Sequence, residues 1–386
     1  MIQTADRISS VQEYYFSRKL KEVELMRKAG ANVINLGIGS PDLAPSEQTI
    51  SKLVEQSRLD HNHGYQSYVG IPELRTAFAM WYLRYFMVNL NPANEILPLI
   101  GSKEGIFHIS MAFVNPGEEV LIPNPGYPTY ESATRLVGGK VRHYNLSADS
   151  GWYPNLYELE KQDLSKVKLM WINYPHMPTG TRASQQVFND IIGFGIRNNI
   201  LICNDNPYSF ILNDKPISLL TANHAKQVGL ELNSLSKSHN MAGWRVGMVA
   251  GHHEFINAIL KVKSNMDSGM FKPLQLAAVE ALKSPSSWYE QINKKYMERR
   301  LIAFDIMKTL RCSYDPDQTG MFVWAKIPSV YRDSTELTDK LLNEAHVFIT
   351  PGIIFGSNGK DYIRISLCSN KELLLESKNR IIEFLK

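Results

Sequence analysis

Short apolar runs alternate with longer segments of helical periodicity through the middle of the chain. Five such runs, each ending in polar residues, occupy residues 119–125, 167–175, 200–208, 227–237 and 245–251. Strands separated by helices in this way are typical of a largely parallel sheet that is covered by helices. The pattern therefore predicts an α/β fold.

The two ends of the chain have a different pattern. The stretch around residues 14–42 predicts an amphipathic helix that stops near Gly30, then a short strand and a Gly/Pro turn. After Pro273 the pattern becomes mostly helical and ends in the strand-like segments GMFVWAKI, VFITPG and DYIRISL. We predict a large domain over residues 30–280 and a smaller α+β domain over residues 281–386, completed by the N-terminal segment 1–29.

Composition narrows the class of protein. A hydrophobic content of 44% and a charged content of 21% over 386 residues are ordinary for a globular protein. A net charge of +4 is too small to favour nucleic-acid binding. The three cysteines are dispersed, and no segment has the length of a signal peptide core or a membrane span. We expect a cytoplasmic protein without disulfide bonds. We also expect it to bind neither nucleic acid nor a membrane.

Metal binding is not predicted. The histidines at 61, 63, 252 and 253 have no carboxylate or cysteine at ligand spacing and are interpreted as loop residues.

Polar residues follow three of the predicted strands. These are Asn173, then Asp205 with Tyr208, and then the segment Ser234–Lys237. Ligands of open parallel sheets bind beyond the carboxyl ends of the strands. An aspartate after a strand is often only a turn or cap residue, but three polar strand ends in series favour a binding site.

An anion site is indicated at the start of one helix. Gly101, Ser102 and Lys103 come directly before an apolar helical run, and free N–H groups at such a start attract phosphate. Simple capping by Ser102 is the alternative. There is no P-loop sequence and no GxGxxG after a strand, so neither a nucleoside triphosphate nor a dinucleotide is indicated.

The segment SLSKSHNMAGWRVG, residues 234–247, combines an amine with anion-binding groups. A lysine that forms a Schiff base and an aspartate that faces a pyridine nitrogen are the protein groups that pyridoxal 5′-phosphate (PLP) requires. Lys237 would hold the aldehyde, and Ser234, Ser236 and Arg245 would hold the phosphate.

These motifs are similar to those of a known family. SLSKSHNMAGWRVG, together with INLGIGSPDL, GYQSYVGIPELR, GSKEGI, NPGYPTY and FGSNGKDYIRIS in this order, resembles the PLP-dependent class I/II aminotransferases of fold type I. The similarity covers most of the chain and looks closest to the LL-diaminopimelate aminotransferase-like subgroup. It implies a mostly parallel seven-stranded sheet in a large PLP-binding domain, and a homodimer whose active site lies at the subunit interface.

The resemblance also implies roles for single residues. Lys237 is the Schiff-base lysine and the base for the 1,3-proton transfer, Asp205 pairs with the ring nitrogen, and Tyr208 donates to the ring hydroxyl oxygen. Tyr127 stacks on the ring, and Arg364 binds the substrate α-carboxylate with the Gly39 backbone opposite. The implied phosphate ligands are Gly101, Ser102, Lys103, Ser234, Ser236 and Arg245 of the same chain, with Tyr65 and Ser268 reaching the neighbouring subunit's phosphate.

One position departs from the family pattern. Met177 stands where the family usually has an asparagine that donates to the ring hydroxyl oxygen, and a thioether cannot donate that bond. Either His176 or Asn173 substitutes, or Tyr208 acts alone.

The predicted function is transfer of the amino group of an α-amino acid to a 2-oxo acid, in a ping-pong cycle between PLP and pyridoxamine phosphate. A PLP-dependent C–S β-lyase shares every cofactor residue and is the alternative. A regulator with an aminotransferase-like domain would bring a DNA-binding domain, for which the residues before the first family motif leave little room. Lys103 would suit acidic or diaminopimelate-like donors, whereas Tyr14, Tyr15 and Phe16 near the substrate entrance would suit aromatic or methionine-like donors equally well.

Overall fold

The computed structural model describes residues 2–11, 13 and 15–386, so the prediction made for Tyr14 lies outside the described residues. The strands are β1 (Ile34–Asn35), β2 (Ile96–Leu99), β3 (Glu119–Asn124), β4 (Lys140–Asn145), β5 (Val167–Ile172), β6 (Leu201–Asp205), β7 (Gly229–Ser234), β8 (Gly247–Gly251), β9 (Phe322–Lys326), β10 (Val347–Phe348), β11 (Thr350–Pro351) and β12 (Tyr362–Ser366).

The helices surround these strands. They are α1 (Asp6–Ser9), α2 (Tyr15–Lys28), α3 (Glu47–Ser57), α4 (Pro72–Phe86), α5 (Ser102–Phe113), α6 (Pro128–Leu136), α7 (Leu156–Glu160), α8 (Gln185–Asn198), α9 (Leu235–Ser238), α10 (His253–Lys263), α11 (Lys272–Leu282), α12 (Ser286–Thr309), α13 (Ser334–Glu344) and α14 (Lys371–Phe384). Short 3₁₀ helices occupy Asp60–Asn62, Leu219–Thr221, Ala225–Gln227, Gly352–Phe355 and Ser357–Gly359.

Seven strands form the central sheet in the order β2-β8-β7-β6-β5-β3-β4. Strand β8 runs antiparallel to both of its neighbours, and all other neighbouring pairs are parallel. The five apolar runs of the sequence are β3, β5, β6, β7 and β8. The prediction of an α/β fold with a mostly parallel seven-stranded sheet is therefore confirmed.

Both faces of the sheet are buried, which explains the continuous apolar runs. Side chains alternate along each strand, so Met170 and Ile172 of β5 face one core and Leu169 and Trp171 face the other. Helix α8 packs on the first face and α5 on the second. This arrangement leaves the carboxyl ends of β5, β6 and β7 side by side at one edge.

A second body forms around the C-terminal strands. Strands β11, β12 and β9 make an antiparallel sheet in that order, and β1 pairs in parallel with β10. Val23 and Val33 pack against Leu342 and Phe348, so the N-terminal segment lies on this body.

The predicted domain limits differ from these elements at two places. Residue 280 falls within α11, which continues to Leu282, and β1 pairs with the C-terminal body although residue 34 was placed in the large domain. The physical reason is that the short β1 has its backbone partner in β10, far along the chain. The division into two domains itself stays a prediction.

None of the helices described is long and apolar enough to cross a lipid bilayer.

Candidate active site

The polar strand ends meet at a cavity of about 590 Å³. This size is ordinary for a small-molecule site. Most of the predicted site residues line it, namely Gly39, Ser102, Lys103, Tyr127, Asn173, Asp205, Tyr208, Ser234, Ser236, Lys237, Arg245 and Arg364. They come from both bodies of the chain, because β12 supplies Arg364 and the strands β6 and β7 of the central sheet supply Asp205 and Ser234.

Lys237 lies in the short helix α9 directly after β7, with its amine in the cavity. Its Nζ donates to Gly39 O at 2.5 Å. Burial lowers the pKa of the Lys237 amine, and the nearby guanidinium groups of Arg364 and Arg245 lower it further. An amine with a lowered pKa is neutral part of the time, which is the form that attacks a carbonyl group or accepts a proton.

Asp205 ends β6 and is only 5% exposed. Its Oδ2 accepts a hydrogen bond from Tyr130 at 3.0 Å, whereas no described residue donates to its buried Oδ1. Burial raises the pKa of the Asp205 carboxyl to about 7, although the Tyr130 bond acts in the opposite direction. A buried carboxylate oxygen without a donor is suited to a cationic partner such as a protonated ring nitrogen.

The phosphate site that the sequence predicts is assembled from two segments. Ser102 begins α5 and lines the cavity together with Lys103 and Arg245, so the N-terminus of this helix lies at the cavity wall, as in other anion sites. A β-carbon on Gly247 would lie 2.9 Å from Ser102 N, so the glycine allows the α5 start to approach β8. Gly101 is not itself a lining residue. A β-carbon there would lie 2.2 Å from Arg245 Nη2, so the lack of a side chain at Gly101 leaves room for the guanidinium group of Arg245.

Hydrogen bonds hold the two serines of this site in place. Ser234 Oγ caps α9 by accepting from Ser236 N at 3.1 Å, and it contacts Ser236 Oγ at 2.8 Å. Arg245 Nη1 donates to Ala242 O at 2.9 Å. Burial and the charge of Arg245 lower the pKa of Lys103. The side chains of Lys103, Ser234, Ser236 and Arg245 thus offer donors in one part of the cavity, and such a group of donors can bind an anion.

Arg364 also lines the cavity and is 4% exposed. Its guanidinium carbon is 3.9 Å from the Phe322 ring centre and 4.6 Å from the Phe355 ring centre, so two aromatic rings fix its plane. Nη2 donates to Gly37 O at 2.9 Å, and Nη1 contacts Met177 Sδ at 3.2 Å. The position that departs from the family pattern therefore contacts the carboxylate-binding arginine.

The structure separates the two candidates to replace the missing asparagine. Asn173 lines the cavity, where its Oδ1 accepts from Met177 N at 2.8 Å and its Nδ2 donates to Asp205 O. His176 is not among the lining residues. It is buried beside Thr179, with Nδ1 and Oγ1 2.8 Å apart, and burial lowers its pKa to about 3. Tyr208 lines the cavity and His176 does not, and the choice of the residue that replaces the asparagine stays a prediction.

Two further predicted residues lie outside the cavity of their own chain. Tyr65 is 93% exposed, and Ser268 is also exposed. The resemblance gave both residues to the neighbouring subunit, and that assignment stays a prediction.

Sequence reasoning missed several lining residues. Tyr130, Phe322 and Phe355 orient Asp205 and Arg364 but read in the sequence as ordinary core residues. Only Tyr130 had a signal, because it lies in the motif NPGYPTY. Phe16 was predicted near the substrate entrance, and it does line the cavity, together with Leu20 of α2 and Ile38.

The donor set fits PLP. The cavity offers an amine for the aldehyde, an unpaired buried carboxylate oxygen for the ring nitrogen, and a cluster of N–H, hydroxyl and cationic donors for the phosphate. Tyr127 and Tyr208 add aromatic surface next to the amine. Each requirement of the cofactor is met by a different element of the fold.

Comparison with known proteins agrees with this fit. The profile of the family described as aminotransferase class I and II matches residues 31–377. The LL-diaminopimelate aminotransferase of Natranaerobius thermophilus is 41% identical, over 99% of this chain and 100% of its own length. That of Moorella thermoacetica is 38% identical over 98% of both chains. The substrate-bound structure of BacF from Bacillus subtilis superimposes with a TM-score of 0.93 at 36% identity, over 99% of this chain and 98% of BacF.

These relatives support amino-group transfer, and nothing in them supports the C–S β-lyase alternative. The chain belongs to the class I and II aminotransferase family and is a PLP-dependent enzyme that moves an amino group between an α-amino acid and a 2-oxo acid.

Proposed function

We propose that Lys237, Asp205, Tyr208 and Arg364 carry out this transfer, and that the amino donor has a large apolar side chain. The observation that carries the first part is the unpaired Oδ1 of Asp205, buried in the same cavity as the amine of Lys237. The second part rests on the apolar wall that α2 adds to the cavity entrance.

The residues divide the chemistry between them. PLP, when bound, supplies a ring that withdraws electrons from the α-carbon of the amino acid. Asp205 would keep a positive charge on the ring nitrogen, and Tyr208 would donate to the ring hydroxyl oxygen. Lys237 would hold the cofactor aldehyde, and its neutral Nζ is the base that would take the proton from the substrate α-carbon. Arg364 holds the α-carboxylate so that this proton points at Lys237.

Met177 changes the surroundings of Arg364. A thioether can accept from Nη1 but cannot donate to the ring hydroxyl oxygen. Asn173 keeps an amide in the cavity, so we propose that Asn173 and Tyr208 together replace the missing asparagine.

The scarcity of acidic groups in the cavity bears on the choice of donor. Among the described residues that line it, Asp205 is the sole acid, and it ends β6. Phe16, Leu20 and Ile38 form the wall at the entrance. The distal ammonium group of diaminopimelate would have only its own neighbouring carboxylate as a partner there, and no carboxylate of this chain. Burial of an unpaired charge is costly, whereas an aromatic or methionine-like side chain gains from apolar contact.

A panel of donors against 2-oxoglutarate tests this proposal. We expect kcat/KM for phenylalanine, tyrosine and methionine to exceed that for glutamate and LL-diaminopimelate by about tenfold or more, since apolar contacts of this size discriminate by that order. Leu20→Ser should lower kcat/KM for the apolar donors. Leu25→Ser, at an exposed position of the same helix, should not. If LL-diaminopimelate reacts fastest, the proposed donor class is wrong. We would then assign binding of the distal carboxylate to Lys103.

We also propose a homodimer in which Tyr65 and Ser268 of each subunit contact the phosphate of the other. Both residues are exposed, and Gly269 lies against Gln66, so their loops are adjacent. The exposed side chains of Met266 and Phe271 lie near Ser268 in the chain and add the apolar surface that an interface needs. Sedimentation as a dimer supports the proposal, and an active monomer contradicts it. A cytoplasmic location likewise remains our proposal.

Arg364→Lys is expected to raise KM for every amino donor by about tenfold or more. Lysine keeps the charge but loses the flat fork that binds a carboxylate through two bonds and stacks between Phe322 and Phe355. Since all donors share the α-carboxylate, their order should not change. Arg182→Lys, at a solvent-exposed ion pair, is the control. A loss confined to some donors would show that Arg364 binds a side chain instead.

A further inference from the structure

Four side chains form a cluster behind the start of α5, outside the cavity. Glu104 and His108 lie one turn apart on α5, and Lys263 and Asp267 lie at the end of α10 and just after it. Glu104 Oε1 is 3.0 Å from His108 Nε2, and Lys263 Nζ is 2.5 Å from Asp267 Oδ2. One ligating atom each of Glu104, His108 and Asp267 lies within 4.8 Å of the others.

The cluster is not suited to a metal ion. The ammonium of Lys263, whose side chain is 2% exposed, is already paired with Asp267. A cation placed among these carboxylates would lie near this ammonium and would have to compete with it. The Lys263 ammonium instead gives the Asp267 carboxylate a partner from the chain itself, which is how buried ionic groups are normally kept stable.

The cluster is connected to the phosphate-binding segment. Glu104 Oε2 accepts from Ile100 N at 2.6 Å, so one carboxylate contacts both the backbone before the helix and His108. Ile100 is followed directly by Gly101, Ser102 and Lys103, the residues that face the phosphate end of the cavity. A shift of Ile100 N would displace the first N–H groups of α5.

The other end of the cluster reaches the segment of Ser268. Asp267 Oδ1 accepts from Gly269 N at 2.8 Å. A β-carbon on Gly269 would lie 2.4 Å from Gln66 O, so this segment is in direct backbone contact with the one that carries Tyr65. The cluster thus joins the segment that serves the chain's own phosphate site to the segments proposed to serve the neighbouring subunit.

We propose that Glu104 and His108, anchored by the Lys263–Asp267 pair, are positioning residues that hold residues 100–103 in the geometry that binds the cofactor phosphate. They touch neither cofactor nor substrate. They act because the carboxylate of Glu104 accepts from Ile100 N, while His108 Nε2 lies 3.0 Å from the other oxygen of the same carboxylate. This inference rests on the proposed phosphate site and goes beyond it by naming what orders that site.

Comparison of PLP with pyridoxal, which lacks the phosphate, tests the proposal. The measurement is the dissociation constant of each for the apoprotein, followed by absorbance. Glu104→Gln keeps the size of the side chain but removes its charge, and charge-assisted hydrogen bonds are the strong ones. We expect the dissociation constant of PLP to rise about tenfold while that of pyridoxal stays unchanged. His108→Leu should act in the same direction, and His108→Gln, which can still donate near the Nε2 position, should restore most of the affinity.

The chain offers a matched control in Glu131 of α6, whose carboxylate lies 3.4 Å from Nε2 of His143 on β4. Glu131→Gln and His143→Leu should leave the ratio of the two dissociation constants unchanged. If Glu104→Gln keeps the wild-type ratio, or weakens PLP and pyridoxal equally, the positioning role is wrong. If the wild-type protein shows no preference for PLP over pyridoxal, the phosphate site itself is wrong, so the two failures are distinguishable.

Discussion

Lys237→Ala is expected to eliminate amino transfer, with the rate of the half-reaction falling by more than about 10⁴-fold. The substitution removes both the group that bonds the cofactor and the base that moves the proton, and a single positioned base contributes about 10²–10⁴-fold by itself. The geometry supports both roles, since the amine lies in the cavity with a pKa lowered chiefly by burial.

Borohydride reduction of the wild-type protein with PLP, followed by peptide mapping, identifies the bonded residue directly. The label should appear on the peptide that contains Lys237 and be absent from the variant. Lys261→Ala, at an exposed position on α10, is the control and should keep both label and activity. A label on any other lysine would remove the basis of the proposed mechanism.

Within the central sheet, the strands that could be predicted from the sequence are those with both faces buried. β5 and β6 read as continuous apolar runs because one core covers each face of the sheet. The edge strands β2 and β4 were not predicted from apolar runs in the sequence. β4 starts at the exposed Lys140 and alternates with polar residues, and β2 contains Pro98, whose missing N–H is tolerated at a sheet edge.

The candidate site divides in a similar way. Asp205 and Lys237 could be predicted because they follow strands, and parallel topology brings strand ends to one edge. Phe322 and Phe355 could not, since an aromatic residue in an apolar segment has the same pattern whether it packs in a core or flanks a guanidinium. The position of His176 outside the cavity could not be predicted from the sequence either. It depends on how residues 174–180 fold back, with Gly180 N donating to His176 O.

Asp205→Asn is expected to keep the cofactor bound but to slow the proton transfer by about 10²–10⁴-fold. A neutral amide cannot stabilise a positive charge on the ring nitrogen, so the ring withdraws fewer electrons from the α-carbon. Single-turnover rates with an excess of amino donor measure this step. Asp214→Asn, at an exposed aspartate in an ion pair, is the control. Near-normal rates in Asp205→Asn would show that this carboxylate is only a turn residue.

The pH dependence of cofactor binding tests the same contact independently of the chemistry. Burial raises the pKa of the Asp205 carboxyl to about 7 in the protein alone, so the carboxyl carries a proton below that pH. A cationic ring nitrogen against Oδ1 favours the carboxylate, and binding must therefore release this proton. Affinity for PLP should fall as the pH drops below about 7, by up to about tenfold per unit from this group alone. Asp205→Asn has no such proton to lose, while Lys237 titrates in both proteins. The difference between the two pH profiles isolates Asp205, and parallel profiles would show that its carboxylate does not face the ring nitrogen.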